Sequence, residues 1–434
     1  MEIKHICFPA IAAAMLLTAC ADDKEGGQKE PVIDPIEEDS YHNYAVAAIA
    51  IETEGSAAVD SKENYVNCTV KLDGKGAYAD YEGTARIRGR GNSTWLWYPK
   101  KPYRIKLDKK SEWLGIEADK DWVLLANYRD PTHLMNTVAF EMGTYMGLPH
   151  TNHTRFAEVT LNGDYIGLYM VTEQVEEGDY RINVDATTGR VIQLDADDGP
   201  ELSPDAADNF WSATYEMPVC VKFPDDEDLT PAVLAGIRNE LGELEQAIRK
   251  QDFEAVSKLL DVRSMIDFLL VQEIVDNVEL CAPRSMYMHR NDAQSPWVMG
   301  PLWDFDAGFD FDWGTMYDGH NYFTDHKDLI LGSDPYEGKG CYGYVPRFFL
   351  DLFGMKEFVA AYKARWNELK GPMIEEVQNQ LAAYRENLLE PMKRNDDRWP
   401  IQPTYRTEIR RMSAWIDKRV SYLDEIINAY PEGK

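Results

Sequence analysis

The hydrophobic periodicity of the chain changes near residue 230, and this change limits the fold classes open to it. Before that point, short segments alternate apolar and polar residues or run apolar over strand length, with turn signals such as Asp73-Gly74 and Asn162-Gly163 between them. These segments are residues 45–51, 66–72, 84–88, 103–107, 157–161, 165–172 and 219–223. The pattern predicts a β-rich N-terminal half.

Helical spacing dominates the remainder. Thr230 precedes a helix that runs to about residue 250, and residues 262–275 are apolar on nearly every side, which predicts a buried helix. An earlier helix is predicted to open at Asp130-Pro131 and to end at Gly147. Further helices are predicted near residues 346–370, 373–390 and 403–430. Strands followed by helices define an α+β protein with two lobes.

The first 20 residues predict a targeting signal. A weakly basic start precedes the apolar run 6–17, which is too short to span a bilayer as a mature helix. Leu17-Thr18-Ala19-Cys20 resembles the lipobox of bacterial lipoproteins, so Cys20 is the predicted acylation site. Residues 21–42 are acidic and contain Gly and Pro, as expected of a flexible tether. The predicted location is the bacterial cell envelope, at the periplasmic face or outer surface, with membrane contact only through the lipid.

Net charge and cysteine content narrow the possible partners. A formal charge of -30 argues against nucleic acid as a partner. Apart from Cys20 and the signal segment, the cysteines are Cys68, Cys220, Cys281 and Cys341, whose pairing is left open. They form no C-x-x-C motif or Cys/His cluster, so we expect neither a zinc nor a redox site.

A basic block stands out against this acidity. Nine of the 25 residues from Arg86 to Lys110 are Lys or Arg. Along the strand 103–107, Arg104 and Lys106 share one face, and Arg88 and Arg90 precede a Gly/Ser loop. Such a face can hold phosphate groups through charge and loop N–H groups, although a solvated strand face is an equally good interpretation.

Carboxylates concentrate in two places further along the chain. Asp304 and Asp306 alternate with Trp303 and Phe305, so in an extended backbone the two acids would project together. Oxygen ligands of this kind suit Mg²⁺ or Ca²⁺ better than zinc, but a polar strand end is the alternative. Some 25 residues earlier, Asp276, Asn277 and Glu279 leave the buried helix. An amide and carboxylates at a helix end, followed by more carboxylates, are typical of phosphotransferases.

These motifs, in their order and spacing, resemble the spore-coat protein H (CotH) kinase family in a lipoprotein form. The matching segments are residues 88–95, 100–107, 130–136, 163–169, 173–175, 283–287 and 300–306. The resemblance implies an atypical two-lobed protein kinase that uses ATP and Mg²⁺ or Mn²⁺ to phosphorylate Ser or Thr of a protein. Residues 43–180 would form the β-rich N-lobe, and residues 181–434 the mainly helical C-lobe.

The resemblance also implies residue roles. Asp304 would bind the metal, with Asp306 as a ligand or orienting group. Arg88, Arg90, Arg104 and Lys106 would face the ATP phosphates, and Glu173-Gln174 would be the hinge beside adenine. Glu279, with Asn277 or Asp276, would supply the catalytic base.

Two positions depart from the family pattern. Glu279 stands where the pattern has Asp, and Met135 stands where it has Arg. A displaced base can cost roughly a hundredfold in rate. A pseudokinase, or a cell-surface glycan- or peptide-binding protein with a structural metal, is therefore the alternative. The protein acceptor or surface ligand is unknown.

Overall fold

A computed structural model of the protein describes residues 44–203, 206–311, 322–338, 345–400 and 404–433. The predicted signal segment 1–20, the predicted acylation site Cys20, the predicted tether 21–42 and Cys341 lie outside the described residues, so these predictions stay predictions. Cys68 and Cys220 are buried thiols. Among the described helices, none combines the length and the apolar composition that crossing a bilayer requires.

The N-terminal region is a closed β-barrel of seven strands in the order β1-β2-β3-β4-β5-β7-β6. Its strands are β1 (Val46–Thr53), β2 (Val66–Asp73), β3 (Tyr81–Gly89), β4 (Tyr103–Trp113), β5 (Ile116–Leu125), β6 (Arg155–Leu161) and β7 (Asp164–Glu173). Neighbouring strands are antiparallel except β1 and β6, whose parallel pairing from Val46/Phe156 to Ile51/Leu161 closes the barrel. The predicted β-rich N-terminal half is confirmed, and closure leaves the barrel no open edge.

Side-chain alternation fills the barrel with apolar residues. On β4, Tyr103, Ile105 and Leu107 are buried in the barrel core, which includes the stacked Trp113 and Trp122 with ring centroids 5.6 Å apart. The alternate positions Arg104 and Lys106 must then project outward, as the sequence predicts. The basic face therefore lies on the outside of the barrel.

A second sheet of five strands lies in the C-terminal part, in the order β12-β11-β8-β10-β9. It consists of β8 (Arg190–Leu194), β9 (Asn209–Trp211), β10 (Pro218–Phe223), β11 (Met286–Arg290) and β12 (Val298–Met299). The sequence pattern predicts only the third of these as a strand. The others are two to five residues long, too short to show a period.

Helices make up most of the rest. They are α1 (Ser93–Trp97), α2 (Met135–Met146), α3 (Pro231–Arg249), α4 (Phe253–Leu259), α5 (Val262–Ile274), α6 (Arg347–Leu350), α7 (Lys356–Leu369), α8 (Pro372–Asn387), α9 (Leu389–Arg398) and α10 (Tyr405–Asn428). The predicted cap of α3 is confirmed, because the Thr230 side chain accepts a hydrogen bond from Val233 N at 3.3 Å. The predicted burial of α5 is also confirmed.

The predicted start of α2 at Asp130-Pro131 is wrong. The Asp130 carboxylate accepts hydrogen bonds from Thr132 N at 2.7 Å and Met135 N at 2.8 Å. These bonds hold residues 130–134 in a compact loop, so the helix begins only at Met135. It ends at Gly147, as predicted, in a left-handed conformation with φ 74°.

A buried lysine joins the barrel to α9. The Lys100 ammonium, 1% exposed, donates to the backbone carbonyl of Leu168 on β7 and to Asn395 Oδ1 on α9 at 2.9 Å. Asn395 Oδ1 also accepts from Leu168 N at 3.2 Å. One amide oxygen thus serves two donors that have no access to water.

We expect Asn395→Ala to lower the free energy of unfolding by about 2–4 kcal/mol, because it removes a partner of a buried ammonium and strands a buried N–H group. Chemical denaturation measures this change. The matched control is Asn387→Ala on α8, an exposed residue that donates only to Ala383 O. Its effect should stay within about 0.5 kcal/mol, and an equal loss in both variants would contradict the role of Asn395.

Candidate active site

The carboxylate-rich segment after β12 is not a strand. Trp303 and Phe305 are buried while the Asp304 side chain is reached by solvent, so the predicted alternation is present. However, Asp304 has φ 67°, in the left-handed region, and this breaks the extended conformation. Phe305 N donates to Asn136 Oδ1 on α2 at 2.8 Å. The segment is therefore held by the helix that follows the Asp130 loop.

Asp304, Asp306 and Glu279 lie near one another, and we call their surroundings the cleft. Desolvation by the cleft walls, followed by the charge of Asp306, raises the pKa of Asp304 to about 7, although water reaches its side chain. Desolvation and then the charge of Asp304 raise the pKa of Glu279 to about 8. Mutual repulsion between these carboxylates requires that they lie near one another. The structure thus brings the two predicted metal ligands and the predicted base together.

Guanidinium groups surround these acids. Arg129 contacts Asp306 through both its backbone oxygen, at 2.7 Å, and its carboxylate, at 3.2 Å. Arg284 lies 3.6 Å from Glu279 and 3.0 Å from Asp197. Sequence reasoning missed Arg129, although it directly precedes the Asp130-Pro131 motif that was singled out.

Asp195 is a second residue that the sequence did not reveal. It accepts hydrogen bonds from Ser285 N at 3.0 Å and Asp197 N at 2.8 Å, and it is close enough to raise the pKa of Asp304 after burial and Asp306. It follows β8, a strand too short to predict. No signal in the sequence places it beside Asp304.

The three predicted catalytic residues after α5, Asp276, Asn277 and Glu279, have different surroundings. Glu279 faces Asp304, whereas Asp276, with φ 54°, lies 3.4 Å from Arg419 and is influenced by Glu273, Asp328 and Asp310 instead. Asn277 is buried, and its side chain accepts from Glu279 N at 3.3 Å. Of the three predicted catalytic residues, only Glu279 is placed with the metal candidates, and Asn277 shapes the turn that carries it.

The basic block reaches the same cleft through Arg90. Its guanidinium stacks over Trp303 at 5.4 Å, and desolvation lowers its pKa against the opposing effect of Asp304. Arg104 pairs with Asp121 at 2.6 Å and Glu176 at 2.9 Å, and Lys106 pairs with Asp121 at 3.0 Å. Arg104 and Lys106 are thus already partly neutralised by acids that the sequence analysis did not single out.

Arg88 is directed elsewhere. It donates to the backbone carbonyl of Lys62 and lies over the Tyr65 ring at 5.1 Å. Arg90 forms no ion pair within the described part of the chain. Of the four predicted phosphate-binding residues, Arg90 is therefore the one most available to a ligand beside Asp304.

A cavity of about 390 Å³ adjoins this basic face. Residues 173–176, at and beyond the end of β7, line one side of it, and His150, His153 and Pro301 line others. Glu173 is buried and bonded to His153 N at 2.9 Å, while Gln174 donates to Val175 O at 3.2 Å. Glu176 lines the cavity and pairs with Arg104, which connects the predicted hinge to the basic strand.

The titration of Glu176 gives a prediction. Burial, and then Asp121, raises its pKa from 4.5 to about 7. Because the folded pKa is higher than the unfolded one, the stability contribution is fully present below pH 4.5 and is lost as the pH rises through 7. We therefore expect Glu176→Gln to reduce the decline in Tm between pH 4.5 and 7, as measured by thermal unfolding without metal.

Glu82→Gln removes one negative charge from an exposed site on the barrel and is the matched control for net charge. The control should follow the pH profile of the wild type. Parallel profiles for Glu176→Gln and the wild type would show that Glu176 does not titrate in this way.

Comparison with known proteins identifies the family. The sequence profile of CotH, described as CotH kinase protein, matches residues 87–423. The chain therefore belongs to the CotH kinase family, which confirms the resemblance that its motifs indicate. No curated protein matches the chain significantly. The crystal structure of the Golgi casein kinase is similar over 89% of this chain and 74% of its own, at 10% identity and a TM-score of 0.29, and nothing about the site is inferred from it.

Proposed function

We propose that this CotH-family protein is an ATP- and metal-dependent protein kinase that phosphorylates Ser or Thr. The observation that carries the proposal is the convergence of Asp304, Asp306 and Glu279 in one cleft, beside Arg90 and close to the cavity at residues 173–176. The two lobes of the proposed enzyme are residues 43–180 and 181–434.

The acidic residues suit a hard divalent cation. Asp304 and Asp306 offer only oxygen ligands, which Mg²⁺ and Mn²⁺ prefer. Burial and then the charge of Asp306 raise the pKa of Asp304, and a bound cation would favour its ionised form. Asp304 and Asp306 would hold the metal, whose role when bound is to neutralise the charge of phosphate oxygens.

The surroundings suit a nucleotide. A cavity of about 390 Å³ lies within the range of small-molecule sites, and the backbone of residues 173–176 borders it. Arg90 lies over Trp303, next to Asp304 in the chain, and it follows β3, which pairs with the strand that carries Arg104. In the proposal, the base of the nucleotide occupies the cavity and Arg90 contacts the phosphates.

Glu279 is the proposed base. With a pKa raised to about 8 by burial and Asp304, it is a stronger proton acceptor than an exposed Glu once it is ionised. It would accept the proton of the Ser or Thr hydroxyl. Arg284 and the Asn277 side chain hold its position. Glu279 has a longer side chain than the Asp of the family pattern. Its carboxylate nevertheless lies at the site.

We expect Asp304→Asn and Glu279→Gln each to lower phosphoryl transfer by about a hundredfold or more. The assay is radioactive phosphate incorporation into the protein itself and into a generic acceptor with Mg²⁺ or Mn²⁺. The matched control is Asp164→Asn, at the exposed start of β7, which should retain wild-type activity.

Loss of transfer should be separable from loss of binding. Wild-type protein that binds ATP with metal but transfers no phosphate to either acceptor would favour the pseudokinase. Wild-type protein that shows no ATP-dependent thermal stabilisation with Mg²⁺ or Mn²⁺ would contradict the nucleotide site itself.

Nucleotide affinity should depend on Arg90. We expect Arg90→Met to weaken ATP binding by roughly tenfold or more, the effect of losing one charge-assisted contact of about 1.5–3 kcal/mol. Isothermal titration calorimetry measures the affinity. The matched control is Arg86→Met on β3, the strand that ends just before Arg90, where Arg86 is exposed over the Tyr65 ring. Equal ATP affinity in the two variants would contradict the proposed contact of Arg90 with the phosphates.

We further propose that acylated Cys20 holds the enzyme in the bacterial cell envelope, at the periplasmic face or outer surface. The support is the lipobox-like run before Cys20 and the acidic tether after it. The acceptor would then be a protein of the same compartment.

A further inference from the structure

A second group of carboxylates lies apart from Asp304. It consists of Asp276 after α5, Asp310 at the end of the 300–311 segment, and Asp328. One oxygen from each residue lies within 4.8 Å of the others, and Asp276 and Asp310 are buried. None of these residues belongs to the group of Asp304, Asp306 and Glu279. We call Asp276, Asp310 and Asp328 the second acidic cluster.

Asp276 shares its nearest guanidinium with a second buried acid. Arg419 on α10 is completely buried, and it lies 3.2 Å from Glu273 and 3.4 Å from Asp276. Glu273 is also fully buried, so the guanidinium is shared between two carboxylates. Within the described residues, these two buried carboxylates share one guanidinium, and a further cation would compensate the remaining negative charge.

One oxygen of the cluster has no partner in the described structure. Asp276 is 0% exposed, and its Oδ2 atom is enclosed without a hydrogen bond. Buried carboxylate oxygens are normally satisfied by hydrogen-bond donors or by metal ions. This orphaned oxygen is an observation independent of the clustering, and it indicates a missing positive ligand.

Three hydrogen-bond donors of Thr324 and Asp325 hold the Asp310 carboxylate in place. Its Oδ2 atom accepts from Thr324 N at 2.8 Å, and the Thr324 hydroxyl and Asp325 N also donate to it. Hydrogen bonds of this kind orient a carboxylate for a metal ion. They also connect Asp310 to the chain segment that carries Asp328.

We propose that Asp276, Asp310 and Asp328 bind a calcium ion. Calcium accepts carboxylate oxygens at about 2.3–2.6 Å in flexible geometry, so ligands on opposite sides of one ion lie roughly 4.6–5.2 Å apart. Oxygens within 4.8 Å of one another therefore fit around a single ion. The ion joins the end of α5, the segment that carries Asp304, and the residues packed against α10. It is a structural site, separate from the proposed ATP-bound metal.

The experiment starts from the double variant Asp304→Asn/Asp306→Asn, which removes the other oxygen ligands and so isolates the second acidic cluster. The full chain is stripped with EDTA and titrated with calcium chloride by calorimetry, and its Tm is measured in parallel. We expect the double variant to bind one Ca²⁺ and to gain several degrees in Tm, because the ion binds the folded state.

Adding Asp310→Asn or Asp328→Asn to the double variant should weaken Ca²⁺ binding by at least roughly tenfold, since each removes a charged ligand. Asp328 is half-buried, so its replacement disturbs the core least. Asp325→Asn, an exposed acid in the same segment but outside the cluster, is the matched control and should leave Ca²⁺ binding unchanged.

Two results would overturn the calcium site. One is a double variant that folds but takes up no Ca²⁺ at concentrations up to about 10 mM, above the range of extracellular calcium modules. The other is undiminished Ca²⁺ binding after both Asp310→Asn and Asp328→Asn. Neither result bears on ATP binding, so failure of this site is distinguishable from failure of the proposed kinase.

Discussion

Closure of the N-terminal barrel is the constraint on which the rest of the structure depends. The parallel pairing of β1 with β6 joins the two ends of the sheet, so every strand must direct one row of side chains inward. The apolar side chains of β4 point into the barrel, so Arg104 and Lys106 project outward. The sheet order β4-β5-β7 places the end of β7 near them, where Glu176 pairs with Arg104. Because the apolar side chains fill the inside of the barrel, its charged side chains lie on the outside, next to the cavity that Glu176 lines.

The C-terminal part places acids beside this basic surface, and their burial is costly even with arginines nearby. Arg90, Arg129 and Arg284 each contact or approach one of the cleft carboxylates, yet the pKa of Glu279 still rises to about 8 because burial outweighs these charges. A protein selected only for stability would replace such groups with apolar ones, since buried ions are rarely worth their desolvation. Their retention in a cleft beside a cavity is therefore better explained by ligand binding than by folding.

The sequence was informative where a pattern is long or local. Alternation, an apolar run and a hairpin turn signal identified six of the seven barrel strands, all but β5, and the encircling apolar residues identified α5 as buried. It failed where structure depends on distant contacts. The Asp130 loop looked like a helix start because Asp and Pro favour one, but the Asp130 carboxylate reaches Met135 N instead. Likewise, Arg129 and Asp195 enter the site through tertiary packing that no local spacing encodes.

The separation of Asp276 from Glu279 shows how backbone conformation divides one acidic stretch between two sites. Three positions along a regular helix would place both side chains on one face. Here α5 ends at Ile274, Asp276 adopts φ 54°, and a short 3₁₀ turn begins at Val278. The reversal directs Asp276 toward Arg419 and Asp310, while Asn277 orients Glu279 toward Asp304. Because Asp304 and Asp310 also lie on one segment, the two sites are joined at both ends, and an ion that fixes Asp276 and Asp310 would also fix the backbone that positions Glu279 and Asp304.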